Sequence, residues 1–207
     1  MGMTPQLARA LVFLRHVVAK VPSRELQLSG ATEPPTLVWT DAMFEPGKPC
    51  RLGLIVSSPR TKTPRAFTAV IPESIVLQFV PKSTHIGQAE LFAALMGFAS
   101  VPELYEGASI IHFVDNQSAL CGLISCTSSK ADSSCILGLY AVLLARCRAR
   151  VWAEYVESEA NVSDGVSREG LTDSMATSLG CTVETGTLPD FTDLHAAPLD
   201  ALLKLFP

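Results

Sequence analysis

Thr36-Leu-Val-Trp-Thr-Asp-Ala-Met43 is an apolar run, rich in strand-forming residues, that carries one carboxylate, Asp41, into its interior end. Acidic side chains are almost never fully buried unless paired. Asp41 therefore either faces water at a turn or shares its charge with a partner, often a metal. If it is a ligand, other carboxylates must reach the same point from elsewhere in the chain.

The segments after this run read as a meander. Glu45-Pro-Gly-Lys-Pro is a turn, Arg51–Ser58 a second strand, and Ser58-Pro-Arg-Thr-Lys-Thr-Pro-Arg65 a basic hairpin loop. Ala66–Ile71 is a third strand, which makes three antiparallel strands in succession. The apolar run Ile75–Val80 has no clear assignment. A helix is expected from Thr84 or His85 to Ala99, with Thr84 as N-cap and a stripe of mostly small residues (Ile86, Ala93, Ala94, Gly97) toward the sheet. Glu90 lies on that stripe, four residues after Ile86 and four before Ala94, so it points inward.

Ala108–Val114 is nearly continuous in apolar residues, as in a strand buried on both faces. It ends at Asp115-Asn-Gln-Ser before the helical stretch Ala119–Cys126. An Asp at that junction is a good N-cap, and strand ends of this kind are also where α/β sheets hold ligands. Asp132–Arg150 reads as a long helix and Val151–Val156 as a last strand. The polar loop 157–163 then enters a short helix around Asp164. Residues 171–196 read as loosely structured, and 197–206 as a small terminal helix.

Before this core, residues 5–21 space Leu7, Leu11, Leu14, Val18 and Val21 as an amphipathic helix, followed by a Pro- and Gly-containing linker through 35. The organisation expected is an N-terminal helix and linker (1–30), a central domain (31–170) and a C-terminal extension (171–207). The 48% hydrophobic content supplies a full core and argues against disorder, as does a mean hydropathy of +0.30. The longest apolar candidate, Cys135 to Ala145, is about half the length a membrane span needs. Arg15 and His16 break the apolar region a secretory signal requires. The acid-free start is compatible with a mitochondrial presequence, and the overall expectation is an intracellular protein, cytoplasmic or nuclear. The net charge of −4 does not advertise a nucleic-acid binder. The six cysteines form no Cys-x-x-Cys pair and lie mostly in apolar segments, so buried free thiols are expected and zinc is not.

The order β-β-β-α-β-α-α-β-α, with an acid at one place in each key element, resembles the ribonuclease H family over roughly residues 36–170. The local words match as well: Thr40-Asp41-Ala42 followed by a glycine and a second strand, Gln88-Ala-Glu90-Leu-x-Ala, and Val114-Asp115-Asn116-Gln-x-Ala119. The fourth, Tyr155-Val-x-Ser-x-x-Asn161-x-x-Asp164-x-x-Ser167-Arg168, is similar to that of retrotransposon reverse transcriptases of the DIRS-like or LTR type. Each word alone is common; the four in order form a joint signal.

The resemblance implies a five-stranded mixed sheet, three antiparallel strands plus two parallel, flanked by helices. It implies a metal-dependent endoribonuclease that hydrolyses the RNA strand of an RNA–DNA hybrid with two Mg²⁺ (or Mn²⁺) ions. Asp41, Glu90, Asp115 and Asp164 would be both catalytic residues and metal ligands, Asp41 bridging the ions. The partner would be the reverse-transcriptase part of the same polyprotein, with residues 1–30 its connecting tail. Asn116 and Ser118 are substrate-contact candidates by resemblance, and equally good as first-turn helix residues. Arg60, Lys62 and Arg65 could contact phosphate from their loop, with solvated surface the default; Arg146, Arg148 and Arg150 pose the same choice at a helix end. Trp39 and Trp152 read as core. Many family members carry a His in the loop before the last acid, and residues 157–163 contain none. The alternatives are a non-catalytic module of the same fold, kept for nucleic-acid binding or assembly, and another nuclease of the superfamily: a transposase, integrase or exonuclease.

Overall fold

A computed structural model describes residues 3–20, 33–82 and 84–205, so most of the expected linker lies outside the described residues. The sheet begins with the meander β1 (Thr36–Met43), β2 (Arg51–Ser57) and β3 (Arg65–Val70), and continues with β4 (Ser109–Val114) and β5 (Arg150–Tyr155). β1 and β2 run antiparallel, as do β2 and β3, while β4 joins β1 in parallel and β5 joins β4 in parallel. The mixed sheet expected from the sequence is therefore present, with one correction. A sixth strand, β6 (Val183–Thr185), pairs in parallel with β3, giving the order β5-β4-β1-β2-β3-β6.

The helices are α1 (Pro5–Lys20), α2 (Glu73–Val76), α3 (Ile86–Ser100), α4 (Pro102–Tyr105), α5 (Gln117–Ser125), α6 (Ala131–Cys147), α7 (Asp164–Glu169), α8 (Ser174–Ser178) and α9 (Ala197–Leu205). One sheet face carries the main core, built from Val38, Leu52, Leu54, Ile110 and Val114 against α3 and α6. The other face carries a smaller cluster in which Ile55, Ala66 and Val183 pack against Val166 of α7 and Ala176 of α8, with Trp39 alongside. No helix among the described residues is long and apolar enough to cross a membrane.

α3 is buried all round, from Gln88 through Phe98, rather than along one stripe. The C-terminal segment covers its outer side: Phe191 packs on Phe92 with ring centroids 5.8 Å apart, and Gly186 lies so close to Met96 that an added Cβ would stand 2.8 Å from its sulfur. Residues 171–196 are thus an ordered wrap rather than a loose tail. The thiols also differ from expectation. Cys50, Cys147 and Cys181 are buried, but Cys121 and Cys126 are exposed on and just past α5. Trp152 is 69% exposed, because β5 is an edge strand that α7 and α8 do not reach, whereas Trp39 is partly buried and stacks on Phe113 at 5.1 Å.

Candidate active site

Strand register is what brings the first two acids together. In the parallel β1–β4 pair, Trp39 stands opposite Phe113. Two residues further along each strand, on the same face, come Asp41 and Asp115. The third acid arrives from α3, where Glu90 is buried against β1 and accepts a hydrogen bond from the Ala42 amide. One carboxylate oxygen from each of Asp41, Glu90 and Asp115 can be chosen so that all lie within 4.8 Å of one another.

Three carboxylates this close and this dry do not readily share three negative charges. Burial raises the Asp41 carboxyl to about 7, opposed by the Ser167 hydroxyl and reinforced by the charges of Asp115 and Asp164. Burial likewise raises Glu90 to about 9, with the charges of Asp41 and Asp115 adding to it. The second oxygen of Glu90, Oε2, is buried and has no hydrogen-bond partner among the described residues. An unpaired buried carboxylate oxygen beside two further acids fits a hard divalent cation, which takes oxygen ligands and cancels the repulsion.

Asp164 is the first residue of α7 and stands outside that tight triplet. Its charge acts on both Asp41 and Glu90, so it faces the same centre, but its carboxylate is clasped by the guanidinium Nε of Arg168 at 2.8 and 2.9 Å. The loop before α7 is tied to β1 by Asn161, which is buried; its Nδ2 donates to the Thr40 carbonyl at 3.0 Å and its Oδ1 accepts from the Ser163 hydroxyl at 2.7 Å. α7 itself lies flat on β2. A Cβ on Gly53 would come within 2.6 Å of the Ser163 carbonyl oxygen and of the Ser167 amide nitrogen. Gly53 is the residue that pairs with Asp41 across the ladder, so the bare glycine lets α7 reach Asp41 from the neighbouring strand. The Ser167 hydroxyl uses that access and donates to Asp41 Oδ2.

His112 is the histidine placed closest in register, with Nε2 2.8 Å from the Thr40 hydroxyl. Burial depresses it to about 4, so it stays neutral near pH 7.

The other candidates separate. Asn116 is the N-cap of α5, its Oδ1 accepting from the Ala119 amide at 3.0 Å. Ser118 lines a cleft of about 160 Å³ between α3, α5 and α6, together with Lys82 and Ser128. Arg60 and Lys62 lie on the β2–β3 turn, next to the Thr36 end of β1, where Thr36 and Ser58 hydroxyls meet at 3.0 Å. That is the end of the strand opposite to Asp41. Arg60 is committed to the Glu103 and Glu106 carbonyls, and Arg65, in β3, to the carboxylates of Glu103 and Glu184. The structure thus brings Asp41, Glu90 and Asp115 together with Asp164 beside them, and leaves the basic loop elsewhere. The parts not anticipated as functional are Ser167 and the Thr40–His112 pair. Its place three residues after Asp164 puts Ser167 on the same side of the helix, but its contact with Asp41 had no sequence signal.

No protein-family model matches the chain, and no match is found among curated proteins. Among solved structures the chain is similar to RNase H1 from the halophilic archaeon Halobacterium salinarum NRC-1, with a TM-score of 0.49 and 17% identity, over 68% of this chain and 100% of that one.

Proposed function

We propose that the chain is a divalent-metal-dependent nuclease of the ribonuclease H class that cuts the RNA strand of RNA–DNA hybrids, as a domain of a retroelement-type reverse transcriptase. The observation that carries this reading is the convergence of Asp41, Glu90 and Asp115 from three separate elements around the unpartnered Glu90 Oε2. The four sequence words, in order on those elements, support the choice of hybrid as substrate.

Asp41, Glu90 and Asp115 would hold the divalent metal, and Asp164, whose charge acts on the same centre, would complete the set. When bound, the ions supply activation of the attacking water and stabilisation of the departing 3′-oxygen. The water oxygen bonds to phosphorus as the P–O3′ bond breaks, which leaves 5′-phosphate and 3′-hydroxyl ends. Arg168 holds the Asp164 carboxylate in one orientation through its guanidinium Nε, and neutral His112 stiffens β1 behind Asp41 without taking part in proton transfer. Ser118 and Lys82, on the cleft beside α5, offer donors to a strand backbone.

The test is cleavage of a labelled RNA–DNA hybrid in Mg²⁺ and in Mn²⁺, with duplex DNA and single-stranded RNA as comparison substrates and Asp41→Asn as the control. Cleavage of the hybrid's RNA strand, lost in Asp41→Asn, is expected. Equal background from both proteins in both metals means the domain is not a nuclease, and preference for duplex DNA assigns it to another branch of the superfamily.

A further inference from the structure

The Ser167 hydroxyl and the Asp41 carboxylate meet across Gly53, and this contact has a use beyond packing. A ligating carboxylate works only if its oxygens are held in one orientation, and hydrogen bonds from behind supply that restraint in metal sites. Asp41 has few neighbours that could do so. It sits in β1 where its own backbone groups are taken up by the ladders, and the adjoining acids repel rather than hold it.

Ser167 fits the task on three counts. It is fully buried, so no water competes for its proton. Its backbone is fixed, because the Ser167 amide donates to the Ser163 carbonyl at 3.0 Å and lies against Gly53 with no room for a side chain between them. Its hydroxyl has a second acceptor within reach, the Asp164 carbonyl at 2.9 Å. One proton serves one acceptor at a time, so Ser167 touches the backbone of one acid and the carboxylate of another.

We propose that Ser167 is a positioning residue, whose hydroxyl orients Asp41 for metal binding and couples that orientation to the seat of Asp164 on α7. This rests on the metal-dependent nuclease reading above. It adds a residue that touches neither metal nor substrate, and it makes the fourth acid's helix the part that aims the first acid.

The experiment compares the intact chain with Ser167→Ala and Ser167→Cys. Alanine removes the donor; cysteine keeps a side chain of similar volume with a much weaker donor. Mn²⁺ binding is measured by calorimetry without substrate, alongside kcat and KM on the hybrid and the melting temperature in chelator. The expectation is about tenfold weaker Mn²⁺ binding in both variants, a matching fall in kcat, an unchanged KM, and metal-free melting close to the parent. Wild-type Mn²⁺ affinity in both variants overturns the assignment. Alanine weak but cysteine at wild-type affinity also overturns it, since filling space would then be the whole role. If the parent chain itself titrates no Mn²⁺, the nuclease reading fails first and this inference falls with it, an outcome distinct from the other two.

Discussion

Asn116 Oδ1 accepts the Ala119 amide at 3.0 Å, and so caps α5 in place of Asp115, one residue earlier. The simplest structural excuse for an acid at this strand end is thereby removed. Asp115 has a carboxylate that the helix does not use, half-buried beside Asp41 and Glu90.

The two neighbours should therefore respond oppositely to substitution. Asn116→Ala should lower stability by about 1 kcal/mol, the ordinary cost of a lost cap, in metal-free protein. Asp115→Asn should raise metal-free stability, because it relieves repulsion on two raised carboxyls, while weakening Mn²⁺ binding. Denaturant melts in chelator and calorimetric titrations check both. Destabilisation by Asp115→Asn in chelator would show that the acid is structural.

Stability of the metal-free protein should fall as pH rises. In the folded chain Glu90 holds its proton up to about 9, whereas the unfolded chain releases it near 4.5. Between those values the folded state binds more protons, so unfolding is favoured by up to about 1.4 kcal/mol for each unit of added pH. Asp41, raised to about 7, acts in the same direction over the lower part of the range. Glu90→Gln should flatten the curve and melt higher than the parent at pH 8 in chelator. Excess Mn²⁺ should invert that ranking, since the ion stabilises only the chain that still has its ligand. Parallel melting curves for the two proteins across pH 5–9 would refute this account of Glu90.

Gly53→Ala should be costly in a way that its place inside a strand does not suggest. The new methyl meets backbone atoms of Ser163 and Ser167, which cannot swing aside as a side-chain tip can. A loss of about 1–3 kcal/mol is expected from overpacking, together with weaker Mn²⁺ binding as α7 lifts away from Asp41. Gly87→Ala, on α3 with nothing within 4 Å of the added atom, should leave stability unchanged or improve it by up to about 1 kcal/mol. Thermal melts and metal titration of both variants decide the matter.

Much of the centre was readable in advance because it depends on periodicity and position. The strand around Asp41, the strand ending at Val114 and the inward side of Glu90 all follow from which residues are apolar and how far apart they stand, although β4 is fully buried on one face only, Ile111 and Phe113 staying partly exposed. The basic loop could have been placed from the same information. A meander alternates ends, so the turn after the second strand lies away from the end of the first, where Asp41 sits. Trp152 misled because a strand-forming aromatic says nothing about whether its strand is at the edge. β6 was invisible for a different reason. Its three residues, Val-Glu-Thr, carry too little pattern, and they become a strand only because the edge of β3 is there to pair with. The Ser167–Asp41 contact depends on how a short helix lies across a glycine, which no spacing in the chain reports.

The pairing of Val183 with Ala66 also sets an order of events during synthesis. β3 is complete long before its outer neighbour leaves the ribosome, so its backbone donors and acceptors stay open while α3, β4, α6 and β5 are made. Only then can the wrap pass over Phe92 and Met96 and close that edge. A nascent chain paused before residue 183 should therefore be more prone to strand-to-strand aggregation than the chain in which β6 has closed that edge.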